Sequence, residues 1–438
     1  MKFLTKAEKW IFYLFVFFIF LQARFVWHIF GGEFNEWTSL YIYATDILAG
    51  TVLALWGGRI LKGDSKIKIG REGGALAVFL FFAGVSILGA GNKWLGLYNT
   101  IKLFEFSLLF LYLKNNFSRV FNIETFWKIF VASAAFQSVF AVWQFFRQSS
   151  LGLNFFNESP TNPQISGVAK IVVNGVKIVR AYGLVPHPNI LAAMLVVAIF
   201  GLVFLFLKNY GKLNAAKRII FAGVFCLLSL ALFLTFSRAV TLIGLLLLFG
   251  GLSFLLWRYP QYKKSVIISL AALFVVGCLL LVVFWPYVSA RYEASELIGG
   301  QALDLRIFYN KIAVDLIEGN PIFGIGTGNF VSTVCSYSFM KSWMCQPVHN
   351  IYLLIAAETG ILGLFFFLFF LFFIVFGTYR SSLDKLSIYV LLLTVFCFLL
   401  TGLLDHFLFT LQQGQLMLWI TLGILASFSI GQTKEKSL

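Results

Sequence analysis

The residues best placed to do chemistry lie between Asp304 and Gly363. There the chain reads DLRIFYNKIAVDLIEGNPIFGIGTGNF, an eighteen-residue polar and aromatic spacer, and then HNIYLLIAAETGILG. His349 and Asn350 open the last run, directly before an apolar helix. Histidine exchanges a proton near neutral pH, as a general base must. At a helix N-terminus the dipole disfavours its imidazolium form. Arg306 lies one turn from Asn310 on an expected surface helix, and Arg238 sits in TFSRAV between two apolar runs. An arginine so close to lipid is costly unless it faces water or an anion. Its planar fork grips paired diphosphate oxygens better than lysine does. Each residue also has a plainer reading: an interfacial snorkeller, a solvated charge, a lone interfacial histidine.

Other polar residues compete for attention. Arg180 precedes AYGLVPHPN, where Asn189 is expected to cap the next helix. Glu358 follows His349 by nine residues, which at about 100° per residue is the opposite helix face and about 13 Å deeper. It is a poor partner for His349, and since a buried glutamate needs a partner, a structural role is expected. Ala356 with Gly360, and Thr359 with Gly363, have the spacing of close-packing devices in membranes. A weaker acidic site is Glu33 and Glu36 in GGEFNEW. The four histidines are scattered, without metal-ligand spacing, and no close Asp-x-Asp pattern occurs, so metal-free chemistry is expected. With no P-loop or GxGxxG, no nucleotide cofactor is expected either.

The elements that must position these residues are membrane spans. The chain is 60% hydrophobic and 12% charged, against roughly 45–50% and about 25% in soluble domains. Apolar runs of about 20 residues recur from end to end. The expected fold is all-α: a polytopic integral membrane protein, one domain over 1–438, with twelve spans at about 9–29, 37–57, 74–91, 94–113, 125–146, 189–207, 219–236, 239–257, 266–285, 350–377, 386–404 and 415–431. The first run follows Lys2, Lys6 and Lys9 but lacks a small-residue cleavage site, so it reads as an uncleaved helix.

With a cytoplasmic N-terminus, the inner segments hold 22 of the 34 basic residues, which supports an even number of spans. The net charge of +16 is thus mostly topology. No folded basic domain is present to bind nucleic acid. The histidines His28, His187, His349 and His406 all fall near the outer face.

Two outer loops are expected, at about 148–188 and 286–349. The first contains β-branched runs around Asn174-Gly175 that read as a hairpin. In the second, between spans nine and ten, Leu303, Ile307, Phe308, Ile312, Val314 and Leu316 make an amphipathic helix that Pro321, Gly324, Gly326 and Gly328 terminate. Cys335 and Cys345 share this loop, where an oxidising compartment favours a disulfide.

The SRAV turn, the arginine-led helix ending in NPIFGIGTGNF, and HNIYLLIAAETGILG resemble the O-antigen ligase / O-antigen polymerase family in order and spacing. RAYGLVPHPNILAAML is similar to the segment leading into that family's middle spans. The resemblance implies a GT-C-like, metal-independent, inverting glycosyltransferase in the bacterial plasma membrane, working at its outer face. The donor partner would be a glycan on undecaprenyl diphosphate and the acceptor a sugar or protein hydroxyl. Arg238 and Arg306, with Arg180 nearby, would bind the diphosphate. His349 would activate the acceptor, with Asn350, Glu358 and Gly326 in support. Ligase, chain polymerase and protein O-oligosaccharyltransferase share the pattern. A non-enzymatic lipid-glycan flippase is the cross-class alternative, for which Asp46, Glu105 and Glu358 are few intramembrane charges.

The topology is testable by labelling cysteines introduced one at a time. In intact cells, an impermeant thiol reagent should reach positions 166 and 301 but not 212; labelling of Lys212→Cys would invert the arrangement.

Overall fold

The computed structural model describes residues 2–290, 299–379 and 384–429. Its helices are α1 (Lys2–Phe18), α2 (Ala44–Leu61), α3 (Gly70–Ser86), α4 (Lys93–Val120), α5 (Ile123–Arg147), α6 (Pro188–Asn209), α7 (Ala215–Leu234), α8 (Arg238–Arg258), α9 (Lys263–Val283), α10 (Gly299–Gly319), α11 (Phe330–Cys335), α12 (Ile351–Tyr379), α13 (Lys385–Gly402), α14 (Phe407–Thr410) and α15 (Gln412–Ser427). Among the described residues, nine of these are long and apolar enough to cross a membrane: α2, α3, α5 to α9, α12 and α13. The other three expected spans fall on α1, α4 and α15, which are helical as well.

Two expected boundaries are corrected. Arg24–Ile29 (β1) and Ser39–Tyr43 (β2) pair as an antiparallel hairpin rather than extending the first two helices. The segments are rich in aromatic and β-branched residues, which suit a pleated strand, and Gly31 and Gly32 turn the chain at φ of +81° and +79°. Arg24 and Glu36 form a two-point ion pair across this hairpin, Nη2 lying 2.7 Å from Oε2. The expected second hairpin is present as β3 (Lys170–Val173) and β4 (Val176–Val179), with Asn174 and Gly175 both at positive φ.

At the centre stands α6, buried almost all round, as a helix without a polar face must be. It packs against α5, α7, α8 and α13, and Gly244 of α8 lets Val196 approach. Several charges inside the bundle are paired, since an unpaired one is costly there. Lys102 bridges Asp46 at 2.6 Å and Glu105 at 2.9 Å, with Gln412 also donating to Asp46. Arg59 binds Glu8, and Lys114 binds Glu72.

The helix α12 is broken at Gly360, which adopts φ 79° and ψ 170°. A break strands backbone groups that cannot be left unpaired in lipid. The glycine turn 321–328 supplies their partners. Ile325 N–H donates to the Ala357 carbonyl at 2.9 Å, Gly326 N–H to the Glu358 carbonyl at 3.1 Å, and Ile361 N–H to the Pro321 carbonyl at 2.8 Å. Backbone must touch backbone for this. A Cβ on Gly324 would meet the Glu358 carbonyl carbon at 2.4 Å, and one on Gly360 the Ile322 oxygen at 2.0 Å. The turn is also tied sideways: Thr327 bonds Ser86 and the Ala83 carbonyl of α3, and Asn329 accepts from Asn92 N–H at 2.8 Å.

The surface helix spans Gly299–Gly319 and lies on α12. Its buried face carries Tyr309, Ile312, Ala313 and Leu316, while Ile307 and Val314 are exposed, so the apolar stripe is narrower than expected. Cys335 and Cys345 are joined as a disulfide, their Cα atoms 5.3 Å apart.

Gly360→Ala should be among the most damaging single substitutions. It combines a positive-φ, extended backbone that is essentially glycine-only, unfavourable by roughly 1–3 kcal/mol, with a collision in a packed interior that costs about 1–3 kcal/mol more. Thermal unfolding of purified protein should show a large drop in Tm; an unchanged Tm would mean the break is not held as described.

Candidate functional site

Three segments distant in sequence meet at one end of the bundle: 180–189 leading into α6, 344–350 leading into α12, and 403–406 following α13. Asp405 is their junction. It is buried, its Oδ2 accepts from Asn189 Nδ2 at 2.7 Å, and its Oδ1 accepts from His406 N–H at 2.8 Å. Asn189 Oδ1 accepts in turn from Arg180 Nη2 at 2.9 Å, and Arg180 Nε donates to the Thr235 carbonyl at 2.6 Å. A continuous chain of hydrogen bonds therefore links the ends of α13, α6 and α7.

Asn189 does not cap α6, as the sequence suggested. His187 does, its Nδ1 accepting from Asn189 N–H at 3.2 Å. With the cap supplied by the ring, the asparagine amide is free to bridge Arg180 and Asp405.

Two further imidazoles complete the cluster. The rings of His349 and His406 meet edge to face at 5.0 Å, and Trp37 meets His406 at 5.6 Å. His406 Nδ1 lies 2.7 Å from Thr410 Oγ1. Tyr309 stacks over His349 at 6.3 Å between centroids, and its hydroxyl donates to the Met344 carbonyl at 2.6 Å. That bond pins α10 to the loop carrying His349. Arg306, three residues earlier on the same helix face, is thereby brought close enough for its charge to act on both His349 and His406. His349 Nδ1 is buried without a hydrogen-bond partner among the described residues.

The electrostatics keep these rings neutral. Burial pushes His349 below its ordinary value and Arg306 adds to the effect, against Asp405 and the nearby Pro347 carbonyl. His187 is lowered to about 4 by burial and by Arg180, and His406 to about 3 by burial, its neighbouring histidines and Arg306. Burial works to raise Asp405, but the three histidines and the Asn189 hydrogen bond outweigh it and hold the carboxyl below its ordinary value. One fixed carboxylate thus faces three proton-accepting rings.

The expected site residues are only partly gathered. His349, Arg306 and Arg180 belong to this end of the bundle. Arg238 is exposed at the head of α8, three residues beyond Thr235, and has no ion pair or hydrogen bond among the described residues. Asn350 caps α12, accepting from Tyr352 N–H at 2.9 Å and Leu353 N–H at 3.2 Å. Gly326 and Glu358 sit apart in the helix break, where the Glu358 carboxylate accepts from Phe330 N–H. In the loop between β1 and β2, Glu33 is exposed and Glu36 is held by Arg24. His28 is exposed and packs on Phe30 away from the other three histidines.

Asp405 was missed by sequence reasoning. The available signal was an acid beside a histidine in TGLLDHF, at the end of a span.

Compared with curated proteins, the chain matches none. Residues 222–368, which run from α7 through α8, α9, α10 and the glycine turn into α12, match the family model described as O-antigen ligase. That segment is thus similar to O-antigen ligases, within a chain whose described residues include nine helices long and apolar enough to cross a membrane.

Proposed function

We propose that this protein transfers or polymerises a glycan from an undecaprenyl-diphosphate donor onto an acceptor hydroxyl at the outer face of the bacterial plasma membrane, as an inverting, metal-independent glycosyltransferase of cell-envelope polysaccharide or lipopolysaccharide synthesis. The observation that carries the proposal is the neutral His349, packed between Tyr309 and His406 with Asp405 and Arg306 acting on it. The family match supports glycan transfer in general.

His349 accepts the proton of the acceptor hydroxyl. The freed oxygen pair attacks the anomeric carbon, and the bond from that carbon to the diphosphate oxygen breaks, its electrons leaving with undecaprenyl diphosphate. Arg306 and Arg238 bind the donor diphosphate and stabilise the charge developing on it. Arg180, engaged by Thr235 and Asn189, serves that end of the site from behind by fixing Asn189 against Asp405. Asp405 in turn stabilises the imidazolium that forms, as a buried carboxylate beside a catalytic histidine does. Diphosphate is already a good leaving group, so positioning and charge supply the catalysis.

His349→Ala should lower transfer by about 10²–10⁴-fold while leaving the protein inserted and folded. Arg238→Lys should be severely impaired, because a point charge does not reproduce the two-point grip. Transfer from purified undecaprenyl-diphosphate glycan in liposomes measures both. Full activity in His349→Ala, or loss in Glu33→Gln and Glu36→Gln together with inhibition by chelator, would move the active site to the first outer loop.

The pH dependence follows from the sign of the His349 shift. A base whose pKa is lowered is already deprotonated at neutrality, so the rate should rise with pH through a midpoint below about 6.5 and be flat above 7. Asp405→Asn removes the carboxylate that raises this pKa. It should move the midpoint further toward acid and lower the plateau. A midpoint above 7 in the unmodified protein would exclude His349 as the neutral base.

A further inference from the structure

A cavity of about 830 Å³, counting its open mouth, lies where α6, α7 and α9 meet, toward the end of α6 opposite His187 and the Asp405 cluster. Leu202 and Phe206 of α6, Phe221 and Phe225 of α7, and Ile268 and Ala272 of α9 give it apolar walls, and Tyr210 and Arg218 also line it. We infer that this cavity holds an acyl chain of an anionic phospholipid, with the headgroup phosphate bound by Arg218 and Lys264.

The cations argue for an anion. The Arg218 guanidinium carbon lies 5.0 Å from the centroid of the Tyr210 ring, and Lys264 Nζ approaches the same ring at 6.0 Å. Like charges converging on one ring repel each other unless something negative stands near them. Neither cation has an ion pair among the described residues, and the chain from 209 to 264 contains no aspartate or glutamate. Lys208 is the contrast, since Glu124 and Asp384 both pair with it. Lys217 and Lys263, exposed and adjacent in sequence, add to the positive field. Basic pockets between membrane helices recruit acidic lipid headgroups in this way, and a guanidinium fork suits phosphate oxygens.

The walls argue for a hydrocarbon chain attached to that anion. A free phosphate gains nothing from an apolar cavity, whereas a chain fills it. Along α6 the lining runs from Tyr210 to Leu202, about 12 Å at 1.5 Å per residue. That depth stays within one leaflet, half of a hydrocarbon core roughly 30 Å thick. The least buried of the candidate spans is α9, so a chain seated between it and α6 adds contact that the protein itself supplies thinly. The site is also separate from the one proposed for the donor. Arg218 and Arg238 lie toward opposite ends of α7, roughly 24 Å apart along its axis.

The test is native mass spectrometry of the full-length protein, delipidated in detergent and titrated with dioleoyl phosphatidylglycerol or dioleoyl phosphatidylcholine. One phosphatidylglycerol should be retained at a concentration at least fivefold below that needed for phosphatidylcholine. Arg218→Gln with Lys264→Gln should abolish the preference. Ala222→Trp, which fills the cavity, should lower retention at least fivefold. All three positions are exposed, so Tm in detergent without added lipid should be unchanged. Cys226 supplies the location: it is a free, exposed cysteine lining the cavity, whereas Cys278 is free and exposed outside it. Phosphatidylglycerol should slow alkylation of Cys226 by a membrane-soluble maleimide at least threefold and leave Cys278 unaffected. Equal retention of the two lipids, retention untouched by the substitutions, or equal protection of both cysteines would overturn the inference. Displacement by inorganic phosphate would do so in favour of simple anion binding, and displacement by equimolar undecaprenyl phosphate in favour of a polyprenyl chain.

Discussion

The break in α12 is the constraint on which the rest depends. A membrane helix that stops hydrogen bonding to itself at Gly360 must find partners for the carbonyls of Ala357 and Glu358, and lipid offers none. The turn 321–328 lies against the break as a matching stretch of exposed backbone, and the match requires glycine at the points of closest approach. The break thereby fixes where α10 ends and where α11 begins. Since α10 carries Arg306 and Tyr309, the geometry around His349 is set by backbone pairing two turns deeper in α12.

A second layer of organisation is the separation of satisfied from unsatisfied charge. Within the bundle, carboxylates and ammonium or guanidinium groups are paired, as in Asp46–Lys102–Glu105 and Glu8–Arg59. By contrast, Arg238 has no ion pair among the described residues, and the Asp405 carboxylate is surrounded by imidazole rings and an amide.

Much of this was legible in the sequence, for identifiable reasons. Long apolar runs marked every helix of the bundle, because lipid forces continuous hydrophobicity. Asn174-Gly175 between β-branched runs marked the second hairpin, and the 3.6-residue period marked α10. The first hairpin was not legible, since Arg24–Ile29 and Ser39–Tyr43 are apolar enough to read as continuations of helices. Helix geometry alone argued against Glu358 as a partner of His349, and its hydrogen-bond partner, the Phe330 N–H, lies on another element. Asp405 with His187 and His406 escaped notice because their association exists only in three dimensions. Apart from the Asp405–His406 adjacency, nothing in the local pattern distinguishes a cluster member from an isolated interfacial residue such as His28.

The contact of Trp37 with His406 has a consequence in time. One partner lies between β1 and β2 and the other after α13, so 369 positions separate them. At a synthesis rate of about 5–20 residues per second, the first hairpin waits tens of seconds in the membrane before the histidine that covers its tryptophan is made. During that interval Arg24–Glu36 closes locally and Lys102 already has Asp46 and Glu105, so the early half of the bundle is electrically complete without the late half. The imidazole cluster has no such precursor. It forms only as the last helices insert, so a chain that stalls before them lacks both Asp405 and His406.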